Sequence, residues 1–210
     1  MMALKRQAIR FASRRDVALL RLYASCFLLL FVAACAPAAP ATLQGTDLQK
    51  LPAPDFQLRD ANDQPFALSA QKGRVVVLTF LYTHCPDECP LIADHLRDAH
   101  EKLGADAASV RFIAVSLDPE NDSAAAIRQF VSAHKVEDVL TYLRGTREQL
   151  APVWKAYFLS VLPGSNPNTL AHQSRIVVID RNNMQRSNFG ADFDTDALVN
   201  DVRIVLADKS

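Results

Sequence analysis

Residues 80–90 read FLYTHCPDECP and mark the point where a buried strand gives way to a helix. The apolar run at 75–78 predicts a strand buried on both faces, and the segment LIADHL at 91–96 predicts a helix. Cys85 and Cys89 are four residues apart and can share one face where that helix begins. The positive end of the helix dipole is expected to lower the pKa of these thiols and to favour thiolate. Thiolate is the form that binds soft metals and exchanges disulfides.

Strand-like and helix-like segments alternate through most of the chain. The predicted elements are a hairpin at 56–68, strands at 74–81, 110–117, 140–143, 175–180 and 185–189, and helices at 91–104, 124–133, 146–157 and 197–207. This alternation predicts an α/β layer fold. Neither a glycine-rich phosphate loop nor a Gly-x-Ser-x-Gly elbow occurs in the sequence.

The N-terminal region has the features of an exported protein. Residues 1–34 combine basic residues with an apolar run at 23–34, which is too short for a comfortable membrane span but typical of a signal peptide. The run ends in VAAC, which resembles a bacterial lipobox, so Cys35 is expected to carry a lipid. Residues 35–54 are expected to form an Ala/Pro-rich tether, followed by a domain at 55–210. The alternatives are a plain secretory signal with an incidental cysteine, or a retained membrane anchor.

The formal net charge of zero hides an uneven distribution. Residues 1–34 contain six basic residues against one acidic residue, a net charge of +5. The remainder contains 17 basic and 22 acidic residues, a net charge of −5. Because nucleic acid recognition requires clustered Lys and Arg, we expect no nucleic acid partner. The leader instead indicates a bacterial envelope protein that faces the periplasm, where oxidation of thiols is permitted.

Three residues form the candidate site, namely Cys85, Cys89 and His172. His172 lies in the loop before the strand predicted at 175–180, and this loop can meet the cysteine loop if the two strands are antiparallel neighbours. Two thiolates and one imidazole suit Cu(I), which is soft and accepts few ligands. The competing interpretation of the cysteines is a structural disulfide or a pair of reduced core thiols, although so short a loop gains little from cross-linking. Without the cysteine pair, His172 is best interpreted as an ordinary loop histidine.

Other candidate residues have simpler interpretations. His84 is expected to point away from Cys85, His95 and His100 to lie on a solvated helix face, and His134 to end a helix. Asp118 and Asp122 are explained by a turn and a helix cap.

The chain also resembles a known family. The motif Thr83-x-Cys85-Pro86-x-x-Cys89-Pro90, with Ser116-x-Asp118-Pro119, Gly145-Thr146 and a histidine eight residues before Asp180, resembles the Sco/SenC family over roughly residues 50–208. The resemblance implies a thioredoxin-like fold with a central mixed sheet, and handling of copper for the Cu(A) centre of cytochrome c oxidase. It assigns the copper-ligand roles to Cys85, Cys89 and His172. The family usually has Asp-His-Ser where this chain has Ala171-His172-Gln173, so the aspartate beside the histidine is missing.

Three functions are weighed. The first is a membrane-tethered copper chaperone, which receives copper from a donor protein, passes it to the oxidase subunit carrying Cu(A), and is not primarily an enzyme. The second is a thiol–disulfide oxidoreductase acting on partner cysteines. The chaperone and oxidoreductase functions are compatible. A Cys85–Cys89 disulfide would remove two copper ligands and would therefore gate copper binding. The third, a peroxide-reducing or purely interacting domain, is less favoured because no arginine is placed beside Thr83.

Overall fold

The computed structural model describes residues 42–164 and 170–208. The predicted signal peptide and the predicted lipid attachment at Cys35 lie outside the described residues. Within those two ranges, no helix has the length and apolar character needed to cross a membrane.

Two sheets are formed within the described ranges. Their strands are β1 (Thr46–Pro52), β2 (Gln57–Asp60), β3 (Pro65–Ala67), β4 (Val75–Leu81), β5 (Val110–Ser116), β6 (Leu140–Arg144), β7 (Leu162–Pro163), β8 (Leu170–Ala171), β9 (Ile176–Ile179) and β10 (Met184–Phe189). Eight strands form one mixed sheet in the order β1-β10-β9-β4-β5-β6-β2-β3, and β7 pairs with β8 separately. The predicted hairpin is confirmed as β2 and β3, which are antiparallel.

The centre of the large sheet brings together the ends of four strands. β4 is parallel to β5, and β5 is parallel to β6, whereas β9 is antiparallel to β4. Every residue of β4 and β9 is buried, which explains their continuous apolar sequences. The C-terminal ends of β4, β5 and β6 therefore share one edge of the sheet with the N-terminal end of β9. We call this edge the site edge.

Four α-helices in the described part of the chain accompany the sheet. They are α1 (Glu88–Leu103), α2 (Ala124–Ala133), α3 (Arg147–Ala156) and α4 (Thr195–Ala207). Ser123 accepts a hydrogen bond from a backbone N–H of α2, and Thr146 forms a capping box with Gln149 at the start of α3. Asp194 caps α4 in the same way, through the N–H of Asp196. These contacts confirm the predicted starts of α2 and α3, whereas α1 and α4 begin three and two residues before their predicted starts at 91 and 197. The predicted α/β class is confirmed.

The N-terminal boundary of the folded region differs from the predicted boundary. Residues 35–54 were expected to form a tether, but β1 lies within that range and pairs antiparallel with β10. Most of β1 is exposed, so its sequence lacks the alternation of apolar and polar residues that would indicate a strand. A bulge interrupts its register between Asp47 and Leu51, where Gln49 and Lys50 have positive φ angles. The prediction of a structureless tether through residue 54 is therefore wrong for β1.

Candidate functional site

The topology brings the two candidate segments to the same place. Thr79 of β4 is the register partner of Ile176 of β9, and the strands run in opposite directions. The cysteine loop follows β4 and the His172 loop precedes β9, so both emerge at the site edge. β4 and β9 are thus antiparallel neighbours, which is the condition under which the His172 loop can meet the cysteine loop.

Cys85 and Cys89 are both free thiols with different environments. Cys89 is in the first turn of α1 and is fully buried, whereas Cys85 precedes the helix and is partly exposed. The backbone N–H of Cys89 donates a hydrogen bond to Cys85 Sγ over 3.3 Å. This contact places the Cys85 sulfur over the helix N-terminus, where negative charge is stabilised.

The two sulfurs have opposite shifts in pKa. Hydrogen bonds from the Cys89 thiol, and then from the backbone N–H groups of Cys89 and Asp87, lower the pKa of Cys85 to about 5 although burial opposes the shift. The pKa of Cys89 is raised, because its thiol donates to Cys85 and because it is buried. The expectation of a lowered pKa is confirmed for Cys85 and is wrong for Cys89. At neutral pH the reduced pair therefore consists of one thiolate and one thiol.

Tyr82 connects the cysteine loop to the histidine segment, which we define as residues 170–174. Its hydroxyl hydrogen-bonds to Cys85 and accepts the N–H of Leu170 over 3.4 Å. Its ring packs edge-on against the His172 ring, with centroids 5.7 Å apart. Burial is the main cause that raises the pKa of Tyr82 to about 12, so this hydroxyl keeps its proton. The sequence interpretation did not identify Tyr82, although its position three residues before Cys85 was a usable signal.

His172 itself lies beside the cysteine loop without joining the sulfurs. It is partly exposed, and its Nδ1 is buried with no hydrogen-bond partner among the described residues. The Ser174 hydroxyl donates to a carboxylate oxygen of Glu88, which fastens the histidine segment to the start of α1. Ala171 supplies no carboxylate to orient the ring.

The ligand set can be tested against the geometry. Over residues 42–164 and 170–208, no three His, Cys, Asp or Glu side chains are grouped closely enough to hold a metal ion. The structure thus pairs Cys85 with Cys89 and places His172 against Tyr82, one side chain away. The chemistry of these donors, two sulfurs and an imidazole, fits a soft ion such as Cu(I). Their joint role as ligands stays a prediction.

The buried carboxylate of Asp122 stabilises the start of the cysteine loop. Asp122 accepts hydrogen bonds from the Thr83 N–H at 2.8 Å, the Ser116 hydroxyl at 2.6 Å and the Tyr142 hydroxyl at 3.1 Å. Burial raises its pKa despite these bonds. The sequence interpretation of Asp122 as a cap is wrong, because Ser123 caps α2. Asp122 instead fixes the backbone where β4 enters the cysteine loop.

The remaining histidines do not join the site. His84 is exposed, and its Nδ1 lies 3.1 Å from the Thr83 hydroxyl. His95 and His100 pack edge-on against the rings of Phe193 and Phe112, so the expectation of a solvated face is wrong for both. His134 Nδ1 lies 3.3 Å from an Asp94 carboxylate oxygen just after α2, as expected of a histidine at a helix end.

Known proteins are similar to this chain in sequence and in fold. The SCO1 protein homolog of Bacillus subtilis (strain 168) is 28% identical over 129 residues, which is 59% of this chain and 66% of the homolog. Apo Sco1 from Thermus thermophilus has a TM-score of 0.68 at 28% identity, covering 79% of this chain and 98% of that one. Bradyrhizobium japonicum ScoI with copper bound has a TM-score of 0.60 at 29% identity, covering 73% of this chain and 98% of that one.

These structures confirm the thioredoxin-like fold that the resemblance implied. The model of the family described as SCO1/SenC matches residues 44–207, a range that runs from just before β1 through the end of α4. Because the match includes the whole sheet, the cysteine loop and the histidine segment, this chain belongs to the SCO1/SenC family.

Proposed function

We propose that this protein binds copper through Cys85, Cys89 and His172 and delivers it to the Cu(A) site of cytochrome c oxidase during assembly. The observation that carries the proposal is the thiol pair at the site edge, in which Cys85 is poised as thiolate beside the histidine segment. Membership of the family supports it, as does the copper found in the similar Bradyrhizobium japonicum structure.

The environments of the two sulfurs suggest an order of binding. Cu(I) first meets Cys85, because that sulfur is the more exposed and is already deprotonated. Cys89 then loses its proton to solvent as the ion binds, because the bound ion replaces the hydrogen bond to Cys85 that is the first cause of the raised Cys89 pKa. His172 completes the set when its segment shifts from the Tyr82 ring toward the sulfurs. Because that segment is held by the contacts of Ser174 and Leu170, the movement is local.

The setting of this chemistry is the bacterial envelope. A lipid on Cys35 would hold the domain at the membrane, facing the periplasm, after the leader at 1–34 is removed. The partners are then a copper donor protein and the oxidase subunit that carries Cu(A). Copper passes between them by exchange of ligands, so this role does not require catalysis.

Copper titration of the purified, reduced full chain tests the proposal. We expect one Cu(I) per chain, with affinity strongly reduced in Cys85→Ser and reduced about tenfold or more in His172→Ala, because losing a ligand should cost at least as much as losing a group that orients one. His84→Ala is the matched control, because His84 is exposed and adjoins Cys85, and it should change affinity less than about twofold. Equal affinities for His172→Ala and the unmutated protein would remove His172 from the ligand set.

The asymmetry of the thiols supports a second function, reduction of a partner disulfide. The Cys85 thiolate would attack one partner sulfur, forming a mixed disulfide and releasing the other partner sulfur as thiolate. Cys89 would then lose its proton and attack Cys85 Sγ, forming the Cys85–Cys89 disulfide and releasing the partner as a dithiol. Two electrons pass to the partner. Cys89→Ser should trap the mixed disulfide, and failure to trap any partner in copper-free cells would argue against this function.

A further inference from the structure

Phe158 lies at a position where the backbone conformation and the exposure to solvent do not suit a large apolar residue. At the end of α3, the Leu159 N–H donates to the Trp154 carbonyl and the Phe158 N–H donates to the Lys155 carbonyl. This pattern is a Schellman motif, in which the residue at the Phe158 position is usually glycine because its φ is positive. Phe158 has a φ of 59° and a side chain that is 73% exposed. The positive φ is unfavourable for a residue with a large side chain, and the exposed ring gains little from burial, so packing within the domain does not explain this residue.

Arg175 lies against Phe158 and is itself incompletely paired. Its guanidinium carbon is 5.9 Å from the centre of the Phe158 ring, a distance suited to a cation–π contact. Arg175 is half-buried, its Nε has no hydrogen-bond partner, and no carboxylate forms an ion pair with it among the described residues. Arg186, which is also largely buried, has two carboxylates within 3.5 Å. A partly desolvated cation without a counterion can gain from an incoming carboxylate.

These residues adjoin the dithiol site. Arg175 directly follows the histidine segment and directly precedes β9 at the site edge. Leu162 pairs across the small β7–β8 sheet with Ala171, the neighbour of His172, and is 58% exposed. Phe158, Leu162 and Arg175 thus flank the histidine segment with two exposed apolar side chains and one cation that has no ion-pair partner in the described part of the chain. We call these three residues the flanking surface.

We propose that the flanking surface docks the protein that receives copper from Cys85 and Cys89, and that this acceptor presents a carboxylate to Arg175 beside an apolar group that covers Phe158. The inference rests on the proposed function, because it is the dithiol that gives such a partner a reason to bind here. Aromatic and arginine side chains are the residues that most often dominate binding energy at interfaces.

The charge of the chain favours a protein over a lipid surface as the occupant. Beyond residue 34 the sequence has a net charge of −5, which an anionic membrane repels. A single arginine gives little attraction to such a membrane, since binding to anionic lipid depends on clusters of basic residues. A single carboxylate on a protein partner, by contrast, is enough to match Arg175.

The test measures docking and copper binding separately. The full chain, reconstituted in phosphatidylcholine vesicles, is titrated with the soluble Cu(A)-bearing domain of the oxidase, prepared free of metal. Phe158→Asn and Arg175→Glu should each weaken binding of that domain by about tenfold or more. The matched control is Arg111→Glu, an exposed charge reversal at the start of β5, at the opposite edge of the sheet, and it should stay within about twofold. Because asparagine tolerates positive φ, Phe158→Asn should also leave the melting temperature unchanged or raise it.

The outcomes distinguish the docking surface from the copper role. Cu(I) affinity should be the same in both variants as in the unmutated chain; a loss of affinity would place these residues in the metal site and overturn the inference. If the chain binds no copper but both variants still lose docking, copper delivery fails and the flanking surface stands. If the domain does not bind, or binds the variants normally, the flanking surface is refuted. Quenching of a Leu162→Trp reporter by brominated lipid, without any partner, would show that the surface faces the membrane and would also refute it.

Discussion

Replacing Cys89 with alanine is expected to raise the pH at which Cys85 becomes reactive. The first cause of the lowered Cys85 pKa is the hydrogen bond from the Cys89 thiol, and alanine removes it. Backbone N–H groups of Cys89 and Asp87 remain, so the pKa rises from about 5 without reaching the ordinary value of 9.0. We expect the midpoint to rise by more than about one pH unit, as for loss of a hydrogen bond to a charged group.

The assay must follow the midpoint and not the rate at a single pH. At pH 7 a thiol of pKa 5 is about 99% thiolate and one of pKa 9 about 1%, a roughly 100-fold loss. The intrinsic nucleophilicity of the thiolate rises with pKa at a slope of about 0.45, which over four units gives a gain of roughly 60-fold. The two effects nearly cancel, so a comparison of rates at pH 7 would miss a large change in pKa.

Iodoacetamide labelling from pH 4 to 10, with the Cys85 peptide quantified by mass spectrometry, measures the midpoint. Peptide resolution is needed because the sequence also contains Cys26 and Cys35. Cys89→Ser is the control, since its hydroxyl can still donate to Cys85 and should hold the midpoint closer to that of the unmutated protein. An unmutated midpoint near 9, or identical midpoints in all three proteins, would refute the assignment of Cys89 as the donor.

Three further predictions concern stability, measured by urea unfolding. Asp122→Asn should destabilise the protein by about 2 kcal/mol, because an amide cannot accept all three hydrogen bonds. Burial raises the Asp122 pKa, so the folded state holds this proton more tightly than the unfolded state does. The contribution of the protonated Asp122 to the free energy of unfolding should therefore fall as the pH rises from 3.8 through the raised pKa. This pH dependence should vanish in Asp122→Asn. Asp201→Ala should cost about 2 kcal/mol, because the N–H groups of Gln44 and Gly45 lose their acceptor, and an unchanged midpoint would contradict this anchoring role. Thr146→Ala should cost about 1 kcal/mol through loss of the capping box, whereas no loss would mean that water replaces the cap.

The parts of the fold that the sequence predicted are those with strong local signals. The run at 75–78 predicted β4 because a strand buried on both faces needs no polar face. The capping box at Thr146 predicted the start of α3 because both of its hydrogen bonds are local. The pairing of β4 with β9 has no local signal, since it joins residues about a hundred positions apart. The sequence could therefore not predict this pairing, and gave it only as the condition for the two loops to meet.

The strand that the sequence missed lacks such a signal. β1 lies on the outside of β10 with most of its residues exposed, and its bulge breaks the alternation of side chains. Its order comes from backbone pairing with β10 and from Asp201, which holds the segment just before it. Composition could not separate this edge strand from the Ala/Pro-rich stretch that precedes it.

The roles of the two cysteines, by contrast, were available in the sequence. Cys89 is followed by Ile92, Ala93 and Leu96, so it is at the N-terminal end of the helical repeat that faces the core, and all four residues are buried in α1. Cys85 precedes the helix and is not part of this repeat. A thiol on the buried face is desolvated and keeps its proton, and a thiol just ahead of the helix receives N–H donors and loses it. The hydrophobic periodicity of α1 therefore decides which sulfur is the thiolate, whereas the helix dipole alone would have treated both sulfurs alike.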